Sequence, residues 1–267
     1  VPDETSFDEL TAFDLHPGNR VDILIKAPLE AGSHCLVHDI TTVMKGKGKQ
    51  KNQDIWALKA ADAGGSCAKV GDLGPLLTLV VEDGEEKVMS FPEGDDYPPM
   101  ASFLADIPPV TDPSLMNEIH YQMVGQGQSQ GSQFWINQAK YNPDCASETF
   151  LLNKPERWTL WNNSSNVAHP FHIHQNPFQL ISMSNRTPNE FKFPVWRDTL
   201  PIPQAMSGGL EPNSNPRDEA NPWGHAELIY EAKEFTGLFV NHCHILGHED
   251  RGMMQNTQVA CADGNWG

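Results

Sequence analysis

Glycine and proline recur so often along this chain, 21 of each among 267 residues, that long helices have little room to form. Both residue types break helices and set turns, so dense punctuation of this kind predicts many short strands. Apolar and polar side chains alternate, as in a strand with one face in a core, at 21–25, 77–81, 158–161, 178–183, 226–230, 238–244 and 254–259. Strands at this density predict an all-β sandwich or barrel. The stretch from Asp106 to Ser114 (DIPPVTDPS) favours extended backbone and predicts a joint between two β domains near Ile107. Lys45 to Lys51 (KGKGKQK) reads as a solvated hairpin tip or linker without function.

Charge narrows the partners. Asp and Glu number 35 against 18 Lys and Arg, a formal net charge of −17, and so acidic a surface repels phosphate backbones and anionic lipid. Nucleic acid is therefore not an expected partner. Nor is a membrane span expected, since no apolar run approaches the roughly 20 residues that one needs. The chain opens at Val1 without a charged and apolar leader and reads as a processed or partial chain.

Six of the 11 histidines fall in two short windows, HPFHIH (His169, His172, His174) and HCHILGH (His242, His244, His248). Clustering of this kind around a central cysteine predicts metal binding. On a strand, side chains alternate faces, so His242 and His244 point one way and Cys243 the other. His-Cys-His then bridges two centres on opposite sides of one strand. In the same way His172 and His174 share a face, with His169 apart across Pro170. A thiolate, two imidazoles and a weak thioether form the ligand set of a blue copper site, which Cys243, His169, His248 and Met253 supply. Zinc accepts the same ligand types, but a structural zinc site favours closely spaced Cys pairs such as C-x₂-C, and none occurs. The remaining imidazoles, His172, His174, His242 and His244, would hold further copper with nitrogen ligation alone.

HPFHIHQNPFQL and GLFVNHCHILGHEDRGMMQ together resemble the two C-terminal copper motifs of the multicopper oxidases, and FDLHPGNRVDILIKAP resembles part of that family's second domain. The HED and MM residues are more similar to the branch with the spore-coat laccase and bilirubin oxidase than to white-rot fungal laccases. The resemblance implies cupredoxin-like Greek-key β-sandwich domains: the C-terminal portion of domain 2 plus a linker over 1–106, and domain 3 over 107–267. It implies type 1 copper on His169, Cys243, His248 and axial Met253, type 2 copper on His172, and the type 3 pair on His174, His242 and His244. An organic donor would deliver an electron through the exposed imidazole edge of His248, Cys243 would pass it to His242 and His244, and O₂ would be reduced to water with Glu249 as proton relay.

In that family a complete cluster uses eight histidines, four of them from two His-x-His pairs in an N-terminal domain. Only two such pairs occur here, so the resemblance implies a second chain or fragment, a heterodimeric partner supplying four more. His16, His34, His38, His120 and His225 read as ordinary residues. With Cys243 on copper, Cys35, Cys67, Cys145 and Cys261 remain, and of the three possible pairings Cys35–Cys67 with Cys145–Cys261 is favoured because each falls within one expected domain. Paired cysteines suit a secreted or periplasmic location. Asn162, Asn163 and Asn185 begin glycosylation sequons. Asp198 could touch the pocket over His248 or cap a turn. Three functions compete: a laccase-like oxidase of phenols or aromatic amines, an Fe(II) or Cu(I) oxidase, and a blue copper electron carrier with no use for His172, His174, His242 and His244.

Overall fold

The computed structural model describes residues 16–20, 22, 31–45, 49–70, 74–84, 90, 92, 97–125, 131–184, 193–206, 214–220 and 222–261, with the backbone alone for 38–58. Apart from Asp22, the strand expected at 21–25 lies outside them, as does the sequon at Asn185. The chain divides into two compact units, Asp22–Pro98 and a second that joins Pro99–Gly267 to Val1–Val21; Ile107 packs with Val110 and Ile229 in the second.

The smaller unit is a three-stranded sheet in the order β2-β1-β3, from β1 (Gly32–Lys45), β2 (Lys49–Ala60) and β3 (Pro75–Val81). Lys45 and Lys49 pair across β1 and β2, and residues 46–48 of the basic stretch lie outside the described residues. Its small core of Cys35, Val37 and Cys67 is closed by the expected Cys35–Cys67 disulfide.

The larger unit is a sandwich. One sheet, ordered β10-β9-β12-β7-β4-β5, combines β4 (Met116–Val124), β5 (Gln133–Ile136), β7 (Glu156–Asn162), β9 (Phe178–Met183), β10 (Val195–Arg197) and β12 (Gly224–Tyr230). The other, ordered β11-β8-β13-β14-β6, combines β6 (Ala146–Leu151), β8 (His169–Ile173), β11 (Thr199–Ile202), β13 (Gly237–Cys243) and β14 (Met254–Ala260). Alternation explains why these segments pair face to face. Along β7, Trp158 and Leu160 point into the core and Arg157 points outward to Glu227 at 2.8 Å. Facing residues from the second sheet, Phe150, Phe171, Ile173 and Val259, share one core with Phe134, Phe178, Leu180 and Leu228 of the first. Each such buried side chain contributes about 1.5–3 kcal/mol of transfer free energy. The result is the expected all-β, cupredoxin-like sandwich, its one short α-helix being α1 (Leu246–Glu249) among the described residues.

The expected Cys145–Cys261 disulfide is absent; both thiols are free. The reason is strand direction. β6 runs parallel to β14, with Ala146 beside Asn256 and Leu151 beside Ala260, so Cys145 precedes the start of one strand while Cys261 follows the end of its neighbour. At about 3.3 Å per residue the two lie on the order of 20 Å apart, far beyond the ~7 Å limit between Cα atoms of a disulfide. The sequons at Asn162 and Asn163 are closed to glycosylation by burial. Both are buried, Asn162 donating to the carbonyls of Val167 at 2.9 Å and Ile202 at 3.2 Å, and Asn163 accepting from the Met123 amide at 2.9 Å.

Candidate metal centre

β13 is the middle strand of its sheet, between β8 and β14, and it ends on the residues that carry the chemistry. Period-two alternation sends Cys243 into the sandwich and His242 to the opposite face. On the inner side, Cys243 Sγ lies 3.6 Å from His169 Nδ1 and 3.6 Å from His248 Nδ1, and the two nitrogens are 3.3 Å apart. All three residues are buried. His169 comes from β8 and His248 from α1, whose turn starts three residues after Cys243. Met253 is also fully buried, and its carbonyl accepts from the Cys243 amide at 3.0 Å.

Burial sets the protonation of this group. It pushes His169 down to about 3 and His248 to about 4, and pushes the Cys243 thiol up to about 12. Both imidazoles are thus neutral lone-pair donors at pH 7, while the thiol must lose its proton to a metal before it can ligate. The spacing fits a single ion. With donor bonds of about 2.05 Å to nitrogen and 2.3 Å to sulfur, the separations above correspond to angles of about 110° at the ion. Converging unprotonated nitrogens in a dry interior are otherwise repulsive, which a cation between them removes.

On the outer face, donor atoms of His172, His174 and His242 lie within 4.8 Å of one another. His244 completes the group, its ring centroid 5.5 Å from those of His172 and His242. Burial, largest in each case, lowers the pKa of His172, His174 and His242, and neighbouring imidazoles add to it. Glu249 Oε2 stands 3.1 Å from His242 Nδ1, so the two faces meet at the C-terminal end of β13. His172 Nδ1 donates toward the Asp198 carbonyl at 2.8 Å and lies 2.9 Å from Thr199 Oγ1.

Two expectations change. The edge of His248 is not open: the residue is 1% exposed, and Phe134 stacks on its ring with centroids 4.1 Å apart. The Arg251 guanidinium lies over Phe134 in turn, 4.2 Å from its centroid. Asp198 does not touch the His248 pocket; it lies at His172 on the opposite face of the sheet and pairs with Arg20 through two contacts of 2.6 and 2.7 Å. Phe134, Arg251, Thr199 and the 18–20 turn escaped the sequence reading because each acts through partners distant in the chain, as Arg20 does across 178 residues. Among the described remaining histidines, His120 packs on Trp223 and His225 on Trp161, as ordinary structural residues do; the side chain of His38 lies outside the described residues.

Residues 111–209, which hold three of these ligands, match the profile described as multicopper oxidase. Over that segment the chain is similar to the multicopper oxidases. The similarity implies copper, and a soft thiolate with imidazoles suits it. A multicopper oxidase of Staphylococcus aureus is 32% identical over 127 residues, 46% of this chain and 24% of that protein. The laccase of Bacillus subtilis strain 168 is 24% identical over 255 residues, 94% of this chain and 43% of the laccase. Thus the chain spans less than half the length of either multicopper oxidase relative. Among solved structures, a multi-copper oxidase of Pediococcus acidilactici superposes with a TM-score of 0.48 at 20% identity, over 86% of this chain and 44% of that one.

Proposed function

We propose that this chain is the C-terminal part of a laccase-like multicopper oxidase that oxidises phenols or aromatic amines one electron at a time and reduces O₂ to water. The observation that carries the reading is the alternation at 242–243: a buried Cys-His₂ group and an outer imidazole group share one strand and one peptide bond. Copper, when bound, supplies one-electron redox chemistry at the first group and dioxygen reduction at the second.

The chain's own residues divide the remaining work. His169, His248 and Cys243, with Met253 as a weak thioether donor, would hold copper at the thiolate site, and burial keeps water out of it. Cys243 connects through the backbone to His242 and His244, so the path between the two groups is covalent. His172 is assigned to the type 2 position and His174, His242 and His244 to the type 3 pair. Glu249, 3.1 Å from His242, is assigned the role of proton relay, since water formation consumes protons. Among the described residues the outer group's four imidazoles stand on β8 and β13 or just past their ends, which supports a second polypeptide, a fragment or a separate subunit, bringing four further histidines and closing the cluster over this face. An exterior, secreted or periplasmic location fits the Cys35–Cys67 disulfide; no described helix is long and apolar enough to cross a membrane.

Native mass spectrometry with metal analysis tests this. An assembly well above the 29.6 kDa of the chain with about four coppers is expected, with O₂ uptake lost when the partner is removed. A species at the chain mass that carries about one copper and consumes no O₂ would leave an electron carrier instead.

A further inference from the structure

The turn from His16 to Arg20 (HPGNR) meets His244 through Gly18 and the 198–199 segment beside His172 through Asn19 and Arg20. Gly18 has φ +82°, and a Cβ there would lie 2.7 Å from His244 Cδ2 and 2.9 Å from Cγ, so the His244 ring lies against bare backbone. Both the left-handed conformation and the contact exclude a side chain. Asn19 Nδ2 donates to the Thr199 carbonyl at 3.0 Å. Arg20 forms the two-pronged pair with Asp198 and also donates to the Gly18 carbonyl at 3.0 Å, tying the turn to itself and to β11.

The far side of that attachment is His172. The Asp198 carbonyl can only accept, so His172 Nδ1 carries the proton, which leaves Nε2 as the lone-pair nitrogen for a metal. Arg20 is 68% exposed at its side chain, and an exposed ion pair adds little stability, with a median of about 0–1 kcal/mol. What a two-pronged contact does provide is orientation, here of the peptide that selects the His172 tautomer.

We propose that the His16–Arg20 turn is a positioning element for the nitrogen-only metal site: Arg20, through Asp198, holds His172 as its Nδ1–H tautomer, and Gly18 seats the ring of His244. The inference rests on the outer histidines being a metal site, and it adds to them residues that touch no metal. Loss of such a supporting contact weakens metal binding by about 10–100-fold.

The test begins on the metal-free full chain, with imidazole ¹⁵N NMR. Wild-type His172 is expected as the Nδ1–H form, Arg20→Ala as a mixture of tautomers, and Gly18→Ala with a displaced His244 signal, while His169 and His248 stay unchanged in both. Cu(II) is then titrated into each protein, with EPR reading the nitrogen-only site and visible absorption reading the Cys243 thiolate site in one sample. Arg20→Ala should weaken Cu(II) at the nitrogen-only site about tenfold and leave the thiolate band intact. Arg157→Ala, which breaks the ion pair with Glu227 on the other sheet, should change neither reading. A wild-type chain that takes up no Cu(II) at the outer histidines, either alone or in its native assembly, overturns the metal reading on which the proposal stands. A wild-type site that binds, with an Arg20→Ala site that binds equally and keeps the His172 tautomer, overturns the positioning role alone.

Discussion

Glu156 opens β7 in phase with Trp158 and Leu160, so the strand's alternation points its carboxyl toward the core, where Asn117 Nδ2 donates to it at 2.6 Å. Burial, the largest influence, raises its pKa from 4.5 to about 7; Glu148 adds to the rise, and Lys154 and the Asn117 amide oppose it. The folded state therefore holds this proton more tightly than the unfolded chain does. Stability from Glu156 is full below about pH 4.5 and is lost as pH rises through 7. The displacement of 2.5 units corresponds to a ceiling of about 3.4 kcal/mol. Partial solvent access at the strand end reduces this to about 1.5 kcal/mol. Glu156→Gln keeps the shape and removes the titration. Urea unfolding of both metal-free proteins, followed by tryptophan fluorescence from pH 4.5 to 7.5, measures the difference. Wild type should lose about 1.5 kcal/mol relative to Glu156→Gln over that window, while slopes from the buried imidazoles cancel because both proteins share them. Equal pH slopes in the two proteins refute the reasoning.

Phe134→Ala removes a fully buried ring stacked on His248; a loss of about 3 kcal/mol is expected in urea unfolding, with faster bleaching of the thiolate band by bulky aromatic donors in stopped flow. Met253→Leu replaces the proposed thioether ligand with an apolar side chain and should raise the potential of the thiolate site; a redox titration giving an unchanged or lower value counts against the assignment. Cys67→Ala opens a loop of 32 residues and should cost the smaller unit about 3–4 kcal/mol, seen as a lower melting temperature that reductant no longer affects.

Strands whose alternation is plain, β9, β12, β13 and β14, were legible within about two residues, because one face of each meets the core and the other does not. β8 was read as a strand only through the spacing of His172 and His174, not through apolar alternation. It contains Pro170, which cannot donate to a ladder and argues against a sheet interior. The structure accommodates it by setting Pro170 opposite Pro201 of the edge strand β11 and by letting the Pro170 carbonyl accept from His244 at 2.7 Å. The candidate metal ligands were legible because their spacing is local, three residues apart or fewer within each motif apart from His248 and Met253. The layers outside them were not: Phe134 reaches His248 only after β5 joins the sandwich edge, and Arg20 reaches Asp198 only once the turn docks on β11. The Cys145 and Cys261 pairing failed for a related reason, since sequence membership in one domain carries no information about whether neighbouring strands run parallel.

Placement of β13 in the middle of its sheet has a further consequence for how this chain tolerates change. A slip of one residue in its pairing would turn the thiol out to the open face and drive an imidazole into the dry interior, exchanging the two sites' ligands at a stroke. Ladders on both flanks, Asn241 to Ile173 on one side and Gln255 on the other, hold the strand against that slip. Insertions and deletions are therefore excluded between Gly237 and Cys243, even where each replacement residue is a good strand former. Strand register acts here as the wiring of the molecule.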